Sequence, residues 1–346
     1  MQSIINQFQL ANPVRLPEAI KVGFINESYR LKAAQEGGVA YFLQRINHHI
    51  FQDVEGLQNN IERVTSHIRQ LLTEAGEADV ERKVLRVVPT KDGKLYYRTP
   101  EGEYWRMYVL IENALSYEQI TPESARLAGK AFGQFQCQLS TINCQLIETI
   151  PDFHNLEFRI KQLHEALEKD AAGRKAATQD IADFLLAHAE EMCLAERLYA
   201  EGKIQKRINH CDTKVNNILF DMEGNPMCIV DLDTVMPGFV FSDFGDFIRT
   251  AANTGAEDDP NLDNIGVNKA IYDAYLEGYL STATFLTELE ISLLPYGCQR
   301  MSFMQAVRFY IDYLNGDTYY KIMYPEHNLV RTKAQIRLFE EQRKSL

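Results

Sequence analysis

The texture of the sequence changes near residue 112, and this change constrains the fold more than any other feature. Before it, short segments rich in branched and aromatic residues are separated by polar turns, which is typical of an antiparallel sheet. After it, apolar residues recur mainly at helical spacing. We therefore predict an α+β chain with a small β-rich lobe at 1–112 and a larger, mainly helical lobe at 113–346.

Each lobe has a definite set of predicted elements. The first is expected to hold strands at 22–31, 39–46, 84–89 and 104–111, a pairing segment at 95–98, and one helix whose apolar stripe runs from Val54 to Leu71. The second is expected to hold helices at 121–139, 178–200, 268–280, 288–311 and 331–343, and one hairpin of strands at 218–220 and 227–232. The spacing Gly129-x-x-x-Gly133 on a helix predicts close helix packing.

Composition excludes several classes of protein. Lysine and arginine total 36 against 48 aspartates and glutamates, a net charge of −12, which argues against partners such as nucleic acid or an anionic membrane. No run approaches the roughly 18 apolar residues of a membrane span, and the N-terminus does not resemble a signal peptide. The six cysteines form no Cys-x-x-Cys pair, so we expect reduced thiols and a cytoplasmic location. A monomer and a homodimer both stay open.

The predicted hairpin is flanked by oxygen-bearing side chains. The polar run His-Cys-Asp-Thr-Lys-Val-Asn-Asn at 210–217 precedes its first strand, and Asp231 and Asp233 follow its second. Because a hairpin brings its two ends together, Asn217 is expected beside Asp231. Carboxylates with an amide, and no histidine or thiol cluster, suit a hard cation such as Mg²⁺.

The spacing His-x-Asp-x-Lys-x-x-Asn at 210–217 is that of the catalytic loop of protein kinases and their relatives. In such a loop the aspartate lies by the substrate hydroxyl, the lysine touches the transferred phosphoryl group, and the asparagine reaches a metal ion on the nucleotide. His210 is expected to brace the loop. The alternative is an ordinary capped loop whose polar side chains satisfy turn backbone. That alternative leaves the second pair of aspartates unexplained.

A second kinase-like motif lies nearby and is misleading. Asp243-Phe244-Gly245 spells the metal-binding motif of protein kinases, yet Asp231 already lies at the predicted end of the hairpin. We expect Asp243 and Asp246 to be structural or to support the site from outside, with Arg249 as an ion-pair partner of one of them.

The segment 209–253, which contains "NHCDTKVNNILFD", "CIVDLDTVMPG" and "SDFGDFIRTAAN", resembles the aminoglycoside phosphotransferase and choline kinase superfamily, and most closely the N-acetylhexosamine 1-kinases. Looser similarity continues in "INESYRL", "YFLQRIN", "WRMYVLIE", "IPDFHNLEFR" and "VRFYIDYLNGDTYY". The resemblance implies a bilobal protein-kinase-like fold, with ATP as co-substrate and Mg²⁺ as cofactor. The roles it implies are Asp212 as general base, Lys214 on the γ-phosphate, and Asn217, Asp231 and Asp233 as metal ligands.

The nucleotide side lacks a known phosphate motif. No Walker sequence or G-x-G-x-x-G run is present, so the phosphate-covering turn is expected at 23–29, with Asn26 and Ser28 as donors. Without the resemblance, an ordinary hairpin turn explains that segment equally well. The usual strand lysine is also missing, and Arg45 is expected in its place, since choline kinases are similar in this respect.

Two further nucleotide contacts are expected. Glu62, in preference to Glu55, is the candidate helix partner of the strand arginine. The adenine ring is expected against the link between the lobes, where backbone groups of Leu110, Ile111 and Glu112 would meet its edge.

The acceptor pocket is expected in the helical lobe. His154, Arg159, Arg308, Asp312 and Tyr313 are polar residues in apolar surroundings and are candidate substrate-binding residues. Interhelical ion pairs explain each of them equally well. An aromatic cage for choline and an acidic groove for an aminoglycoside both stay compatible with the composition.

The resemblance favours one function among these. It implies an ATP- and Mg²⁺-dependent kinase that phosphorylates the anomeric hydroxyl of an N-acetylhexosamine. The alternatives are another small-molecule kinase, acting on choline, ethanolamine, an aminoglycoside or homoserine, and a non-catalytic pseudokinase. The absent strand lysine favours the pseudokinase, and the complete set from Asp212 to Asp231 argues against it.

Overall fold

A computed structural model describes residues 1–20 and 25–346 and divides the chain into two compact units. One, which we call the sheet unit, comprises Met1–Tyr117, Gln134–Pro151 and Asn216–Met236. The other, the helical unit, comprises Glu118–Gly133, Asp152–Val215 and Pro237–Leu346. The predicted hairpin thus belongs to the sheet unit, although it lies far from the first strands in sequence. The lobe limits 1–112 and 113–346 stay a prediction.

The elements follow in chain order. The strands are β1 (Glu18–Ile20), β2 (Glu27–Leu31), β3 (Tyr41–Ile46), β4 (Tyr97–Arg98), β5 (Tyr104–Val109), β6 (Arg207–Asn209), β7 (Ile218–Phe220), β8 (Pro226–Ile229) and β9 (Met236–Gly238). The helices are α1 (Gln2–Ile5), α2 (Val54–Glu74), α3 (Val80–Lys83), α4 (Pro122–Leu139), α5 (Leu156–Lys169), α6 (Gln179–Met192), α7 (Leu194–Ala200), α8 (Val240–Ala251), α9 (Lys269–Leu280), α10 (Glu288–Ser292), α11 (Leu294–Leu314) and α12 (His327–Ser345). The α+β fold class is confirmed.

An antiparallel sheet in the order β1-β2-β3-β5-β4 organises the sheet unit. The predicted hairpin of the second and third strands is confirmed, and the part of the prediction at 21–24 lies outside the described residues. The strand predicted at 84–89 is wrong, because Val87 forms only an isolated bridge to Tyr108. Pro89 has no amide hydrogen with which to extend such a ladder.

The two faces of the sheet differ in polarity. Successive residues of a strand point to opposite faces. One face carries Leu43 and Met107, which pack with Ile5 and Phe8 in an apolar cluster. The opposite face carries polar residues in register, because Gln44 of β3 lies between Ser28 of β2 and Arg106 of β5. The predicted stripe of α2 is confirmed from Val54 to Ile68, whereas at its end Leu72 is buried in place of the expected Leu71.

The helical unit is built around α11. Its main apolar cluster joins α5, α6, α11 and α12, with Leu163, Leu185, Phe303 and Phe339 fully buried. Two predicted helices are each divided in two: the one at 178–200 at Cys193, and the one at 288–311 at Leu293, where Pro295 starts a new helix. Helices α5 and α8 were not predicted. None of the helices in the described part of the chain combines the length and apolar character needed to cross a bilayer.

Glycines allow two close helix contacts in this unit. A β-carbon at Gly129 of α4 would lie 2.2 Å from the carbonyl oxygen of Tyr275 in α9, which confirms the predicted packing role. A β-carbon at Gly245 of α8 would lie 2.1 Å from the carbonyl oxygen of Gly297 in α11. Gly245 is therefore needed for the contact of α8 with α11.

Candidate active site

The predicted catalytic loop follows β6 in the helical unit and is held by Asp243. The carboxylate of Asp243, in the first turn of α8, accepts hydrogen bonds from the backbone N–H groups of His210 (2.7 Å) and Cys211 (2.9 Å). The hydroxyl of Thr213 donates to the carbonyl oxygen of Asp243 (2.5 Å). Cys211 has φ of +62°, an unusual value for a residue with a side chain. The bonds to Asp243 hold the loop in this conformation, so the structural role expected of Asp243 is confirmed.

The loop presents an acidic and a basic side chain to each other. Lys214 Nζ lies 2.6 Å from Asp212 Oδ1, and the side chains are 39% and 27% exposed. Burial acts to lower the pKa of Lys214, but the charge and hydrogen bond of Asp212 raise it more, so its pKa lies above the usual value. Lys214 therefore stays protonated at neutral pH beside the predicted base. Asp212 therefore provides a proton acceptor and Lys214 a positive charge next to each other.

One turn farther along α8, Asp246 and Arg249 form a buried ion pair. Arg249 Nε lies 3.0 Å from Asp246 Oδ1, and Arg249 Nη1 lies 2.5 Å from Glu257 Oε1. This confirms the expected pairing of Arg249 with one of the two aspartates. Burial raises the pKa of Asp246, against the effect of Arg249 and with the effect of Asp212. The pair therefore lies within electrostatic reach of the predicted base.

The ends of the β7–β8 hairpin meet in the sheet unit, as predicted. The backbone N–H of Val230 donates to the carbonyl oxygen of Asn217 (2.9 Å), which joins the residue before β7 to the residue before Asp231. Asp231 itself has φ of +60° and ψ of +54°, in the left-handed region. Such a conformation at an aspartate persists only where its surroundings impose it.

The donor set of the hairpin fits Mg²⁺. Amide and carboxylate oxygens are the ligands that this ion prefers, and it commonly takes only one or two carboxylates because substrate phosphates and water complete its shell. Asn217 is buried, and Asp231 begins the turn next to it. Within residues 1–20 and 25–346, no group of three or more His, Cys, Asp or Glu residues could hold a metal ion. A dedicated protein cage for a metal is therefore absent from the described residues.

Asp233 has partners in the protein. Its oxygens lie 2.9 and 2.5 Å from the guanidinium of Arg106 and 2.7 Å from the side-chain nitrogen of Asn26. Burial acts to lower the pKa of Arg106, but the charge of Asp233 raises it above its ordinary value. Asp233 is thus the counter-ion of a buried arginine, and the metal role expected of it stays a prediction.

The predicted phosphate contacts divide between the two faces of the sheet. Ser28 lies on the face of Gln44, whose amide donates to the Ser28 hydroxyl (3.0 Å). Arg45 lies on the opposite face and pairs with Glu27 and with Glu103 (2.6 Å). The strand arginine is therefore paired with Glu27 of β2 and with Glu103 just before β5, and not with Glu62, the helix partner expected for it. The amide nitrogen of Asn26 donates to Asp233, and its amide oxygen accepts from the backbone N–H of Asn47.

The predicted adenine contacts follow β5. The N–H of Leu110 donates to the carbonyl oxygen of Ala40 (2.9 Å), and the carbonyl oxygen of Glu112 accepts from Arg82 (3.1 Å). Ile111 makes no such backbone hydrogen bond to any described residue. Of the three, Ile111 best keeps both backbone groups available to a ligand.

On the acceptor side, three of the predicted residues gather around Phe153 in the helical unit. The ring of His154 stacks on Phe153 with centroids 4.5 Å apart, and the guanidinium of Arg308 lies 5.3 Å from the Phe153 centroid. Arg159 Nη2 donates to the carbonyl oxygen of Phe153 (3.1 Å), while its Nε is buried without a hydrogen-bond partner among the described residues. Arg308 also lies 5.7 Å from the ring centroid of Tyr320. We call Phe153, His154, Arg159, Arg308 and Tyr320 the arginine cluster.

The arginine cluster is electrostatically positive. Arg159 and Arg308 make their side-chain hydrogen bonds to Gln162, Gln305 and backbone, and neither forms an ion pair with a described residue. Burial lowers the pKa of Arg159 to about 10, and Arg308 lowers it further in the same direction. Burial also holds the pKa of His154 well below its usual value, helped by the charges of Arg308, Arg300, Arg159 and Arg249. His154 is therefore neutral at pH 7, and the cluster holds positive charge that no carboxylate of the described residues cancels by pairing.

The other two predicted acceptor residues have structural partners. Asp312 accepts hydrogen bonds from the backbone N–H groups of Thr318, Tyr319 and Tyr320 and from the amide of Asn328 (2.8–2.9 Å). Tyr313 is buried under the guanidinium of Arg174, 4.5 Å from its ring centroid. Asp312 therefore holds the segment after α11, which supplies Tyr320 to the arginine cluster.

Sequence reasoning missed Arg106, the most informative residue of the sheet unit. It is fully buried on β5, between two bonds to Gln44 and the ion pair with Asp233. The signal was a lone arginine in the apolar run at 105–109, which favours a buried and therefore paired side chain. Its partner could not be found from sequence, because Asp233 is remote along the chain.

Comparisons with known proteins agree with this architecture. Residues 18–285 match the phosphotransferase enzyme family. Among solved structures, an aminoglycoside phosphotransferase from Alicyclobacillus acidocaldarius is 13% identical with a TM-score of 0.64, over 99% of this chain and 95% of that chain. The amicoumacin kinase in complex with AMP-PNP and Ca²⁺ is 11% identical with a TM-score of 0.62, over 98% and 92%. Plasmodium vivax ethanolamine kinase is 15% identical with a TM-score of 0.58, over 98% and 85%.

At these identities the solved structures establish the fold, and they confirm the kinase-like architecture predicted from the sequence. The family match is stronger evidence of identity, because it covers more than half of the chain. The protein therefore belongs to the phosphotransferase enzyme family and is a small-molecule kinase.

Proposed function

We propose that this enzyme transfers the γ-phosphoryl group of ATP to the anomeric hydroxyl of an N-acetylhexosamine, with Mg²⁺ as cofactor. The observation that carries the reaction type is the loop held by Asp243, which presents Asp212 and Lys214 in contact and partly exposed. The choice of sugar rests on the resemblance of 209–253 to the N-acetylhexosamine 1-kinases and on the charge of the arginine cluster.

In the proposed reaction the protein acts mainly by positioning the reactants and stabilising charge. Asp212 accepts the proton of the acceptor hydroxyl as that oxygen attacks the γ-phosphorus, and the bond to the β-phosphate oxygen breaks to release ADP. Lys214 keeps its positive charge beside Asp212, so it can stabilise the negative charge of the transferred phosphoryl group. The neighbouring Asp246 is paired with Arg249, which makes Asp212 the better candidate for the base.

The sheet unit would supply the metal and nucleotide contacts. Asn217 and Asp231 would hold Mg²⁺, which when bound neutralises charge on the nucleotide phosphates. Ser28 and the backbone of Ile111 are the nucleotide contacts best supported by their position and available groups. Arg45, paired with two glutamates on the other face of the sheet, is the least supported of those predicted.

The arginine cluster favours an uncharged, oxygen-rich acceptor over an amine. By their names, the ethanolamine kinase and the aminoglycoside phosphotransferase among the similar structures act on amines. An ammonium group beside Arg159 and Arg308 would meet like charge, and none of the described carboxylates pairs with these arginines to offset it. Hydroxyl and acetamido oxygens, in contrast, can accept hydrogen bonds from guanidinium groups.

A panel of acceptors tests the function directly. ADP release would be measured with ATP and Mg²⁺ against GlcNAc, GalNAc, glucose, galactose, choline and kanamycin, and the product phosphate located by ³¹P NMR. We expect release with the N-acetylated sugars and phosphorylation at the anomeric oxygen. Release with choline or kanamycin alone would overturn the proposed acceptor, and ATP binding without turnover on the whole panel would favour a pseudokinase.

Two sugars that differ in charge test the role of Arg308. GlcNAc carries an acetyl group on the nitrogen that is a free amine in glucosamine. At about pH 6.5 this amine, whose pKa is about 8, is protonated. We expect kcat/KM to favour GlcNAc by about tenfold or more, because like charges in contact are strongly disfavoured. Arg308→Gln should lower this ratio of the two kcat/KM values. The control Arg343→Gln, which removes an exposed arginine of α12 that pairs with Glu191, should leave the ratio unchanged. Equal kcat/KM for the two sugars in the unchanged enzyme would contradict the assignment.

A further inference from the structure

Arg106 connects the middle of the sheet to the turn that carries Asp231. We propose that Arg106 is a positioning residue of the phosphotransfer reaction, whose ion pair with Asp233 fixes the Asp231–Thr234 turn and thereby sets the affinity of the enzyme for its divalent cation. The inference rests on the proposed function in one respect, the assignment of Asp231 as a metal ligand.

The contact between Arg106 and Asp233 is double and dry. Arg106 Nη2 lies 2.9 Å from Asp233 Oδ2, and Nη1 lies 2.5 Å from Oδ1. The side chains are only 2% and 6% exposed. Water therefore cannot replace either partner, and removal of one alone would leave an uncompensated buried charge.

The guanidinium is also fixed from its other side. The side-chain oxygen of Gln44 accepts from Arg106 Nε (3.0 Å) and Nη2 (2.8 Å), and the amide nitrogen of Gln44 donates to the Ser28 hydroxyl (3.0 Å). These residues stand side by side on β2, β3 and β5. A regular sheet therefore determines where the positive charge lies, which is the most rigid support that this unit offers.

The turn is held at both ends by comparable contacts. At Asp233, the amide of Asn26 adds a bond of 2.7 Å, and Asn26 is itself fixed by the backbone N–H of Asn47 (2.9 Å). At Val235, the carbonyl oxygen accepts from the amide of Asn60 in α2 (3.1 Å). The 3₁₀ turn Leu232–Thr234 is therefore tied to the sheet through Asp233, within it, and to α2 through Val235, directly after it.

Asp231 depends on these ties because of its backbone. Its φ of +60° is one that an aspartate adopts at a cost, and the residue lies immediately before the anchored turn. If the Arg106–Asp233 pair were lost, Asp231 could relax toward an ordinary conformation and carry its carboxylate with it. Groups that hold a metal ligand in place typically change metal affinity by about tenfold or more when removed.

The test measures Mn²⁺ binding to the enzyme in the presence of ADP by electron paramagnetic resonance, without an acceptor. The double variant Arg106→Met/Asp233→Leu removes both charges at once and replaces a buried ion pair with apolar side chains of similar size, a change that cores often tolerate. We expect its melting temperature to stay close to that of the wild type and its Mn²⁺ affinity to fall about tenfold. Arg69→Met is the matched control: this arginine of α2 pairs with Glu81 (2.7 Å), belongs to the same unit and is not among the predicted metal or nucleotide residues, so its loss should leave the affinity unchanged.

Arg106→Lys is the second variant. Because it leaves Asp233, itself a predicted metal ligand, in place, a fall in Mn²⁺ affinity in this variant cannot come from loss of a ligand. The substitution keeps the net charge of the buried pair and loses the double contact with Asp233 and the bonds to Gln44, so we expect a smaller but measurable fall in Mn²⁺ affinity. Unchanged Mn²⁺ affinity in any folded variant at Arg106, with a changed melting temperature, would reduce the pair to a stabilising contact and overturn the proposal. Asp231→Asn separates the two hypotheses, because unchanged affinity there would instead overturn the metal assignment in the proposed function.

Discussion

Asp212→Asn is expected to lower kcat by about 10³-fold, in the range of 10²–10⁴ for removal of a general base. The substitution keeps the size of the side chain and its oxygen beside Lys214, so the loop should stay folded. It removes the group that accepts the proton of the acceptor hydroxyl. The measurement is ADP release under saturating ATP, Mg²⁺ and acceptor, compared with the affinity for ADP.

The matched control is Asp273→Asn. Asp273 is exposed on α9 and, like Asp212, is paired with a lysine, Lys269. It should leave kcat unchanged, because its surroundings contain no predicted substrate or nucleotide residue. Turnover of Asp212→Asn close to that of the wild type would remove Asp212 from the chemistry, while ADP affinity lost together with kcat would indicate a general disturbance of the site.

The sequence predicted best those parts of the fold that depend on local pattern. The stripe of α2 and the β2–β3 hairpin follow from apolar spacing and a polar turn, and both are present. Helix α8 was missed although its apolar residues recur at helical spacing from Val240 to Ile248, because this segment was interpreted only through its Asp-Phe-Gly motif.

Within the site, residues close in sequence were predicted better than residues joined by tertiary structure. The meeting of Asn217 with the end of β8 follows from hairpin geometry alone. The partner of Asp233 could not be predicted, because Arg106 lies 127 residues away along the chain. Arg45 was chosen as the strand cation from its position in β3, but the face of a strand residue depends on register, and a shift by one residue reverses it.

The Asp-Phe-Gly triplet at 243–245 shows how a motif can be explained by packing. Asp243 binds the backbone of the catalytic loop, Phe244 is fully buried, and Gly245 allows the approach of α8 to α11. Each residue of the triplet thus has a structural reason within the helical unit. A direct test of this interpretation is the substitution of Asp243.

Asp243→Ala is expected to destabilise the helical unit by about 4 kcal/mol. It removes a charged acceptor from the buried N–H groups of His210 and Cys211, and each lost partner costs about 1–3 kcal/mol. For a unit of this size we expect the melting temperature to fall by about 8 °C or more, measured by circular dichroism. Turnover should fall as well, because Cys211 no longer has the support for its left-handed backbone and Asp212 follows it directly.

The control is Asp221→Ala in the turn between β7 and β8. Asp221 also accepts from two backbone N–H groups, those of Glu223 (3.0 Å) and Asn225 (2.7 Å), but the turn is exposed. Water can replace its carboxylate there, so its melting temperature should change much less. If Asp243→Ala instead kept its melting temperature and lost Mn²⁺ binding in the presence of ADP, Asp243 would act on the metal, as the kinase motif suggests. Retained Mn²⁺ affinity in the folded fraction, with a lower melting temperature, is the result that the hydrogen bonds to His210 and Cys211 predict.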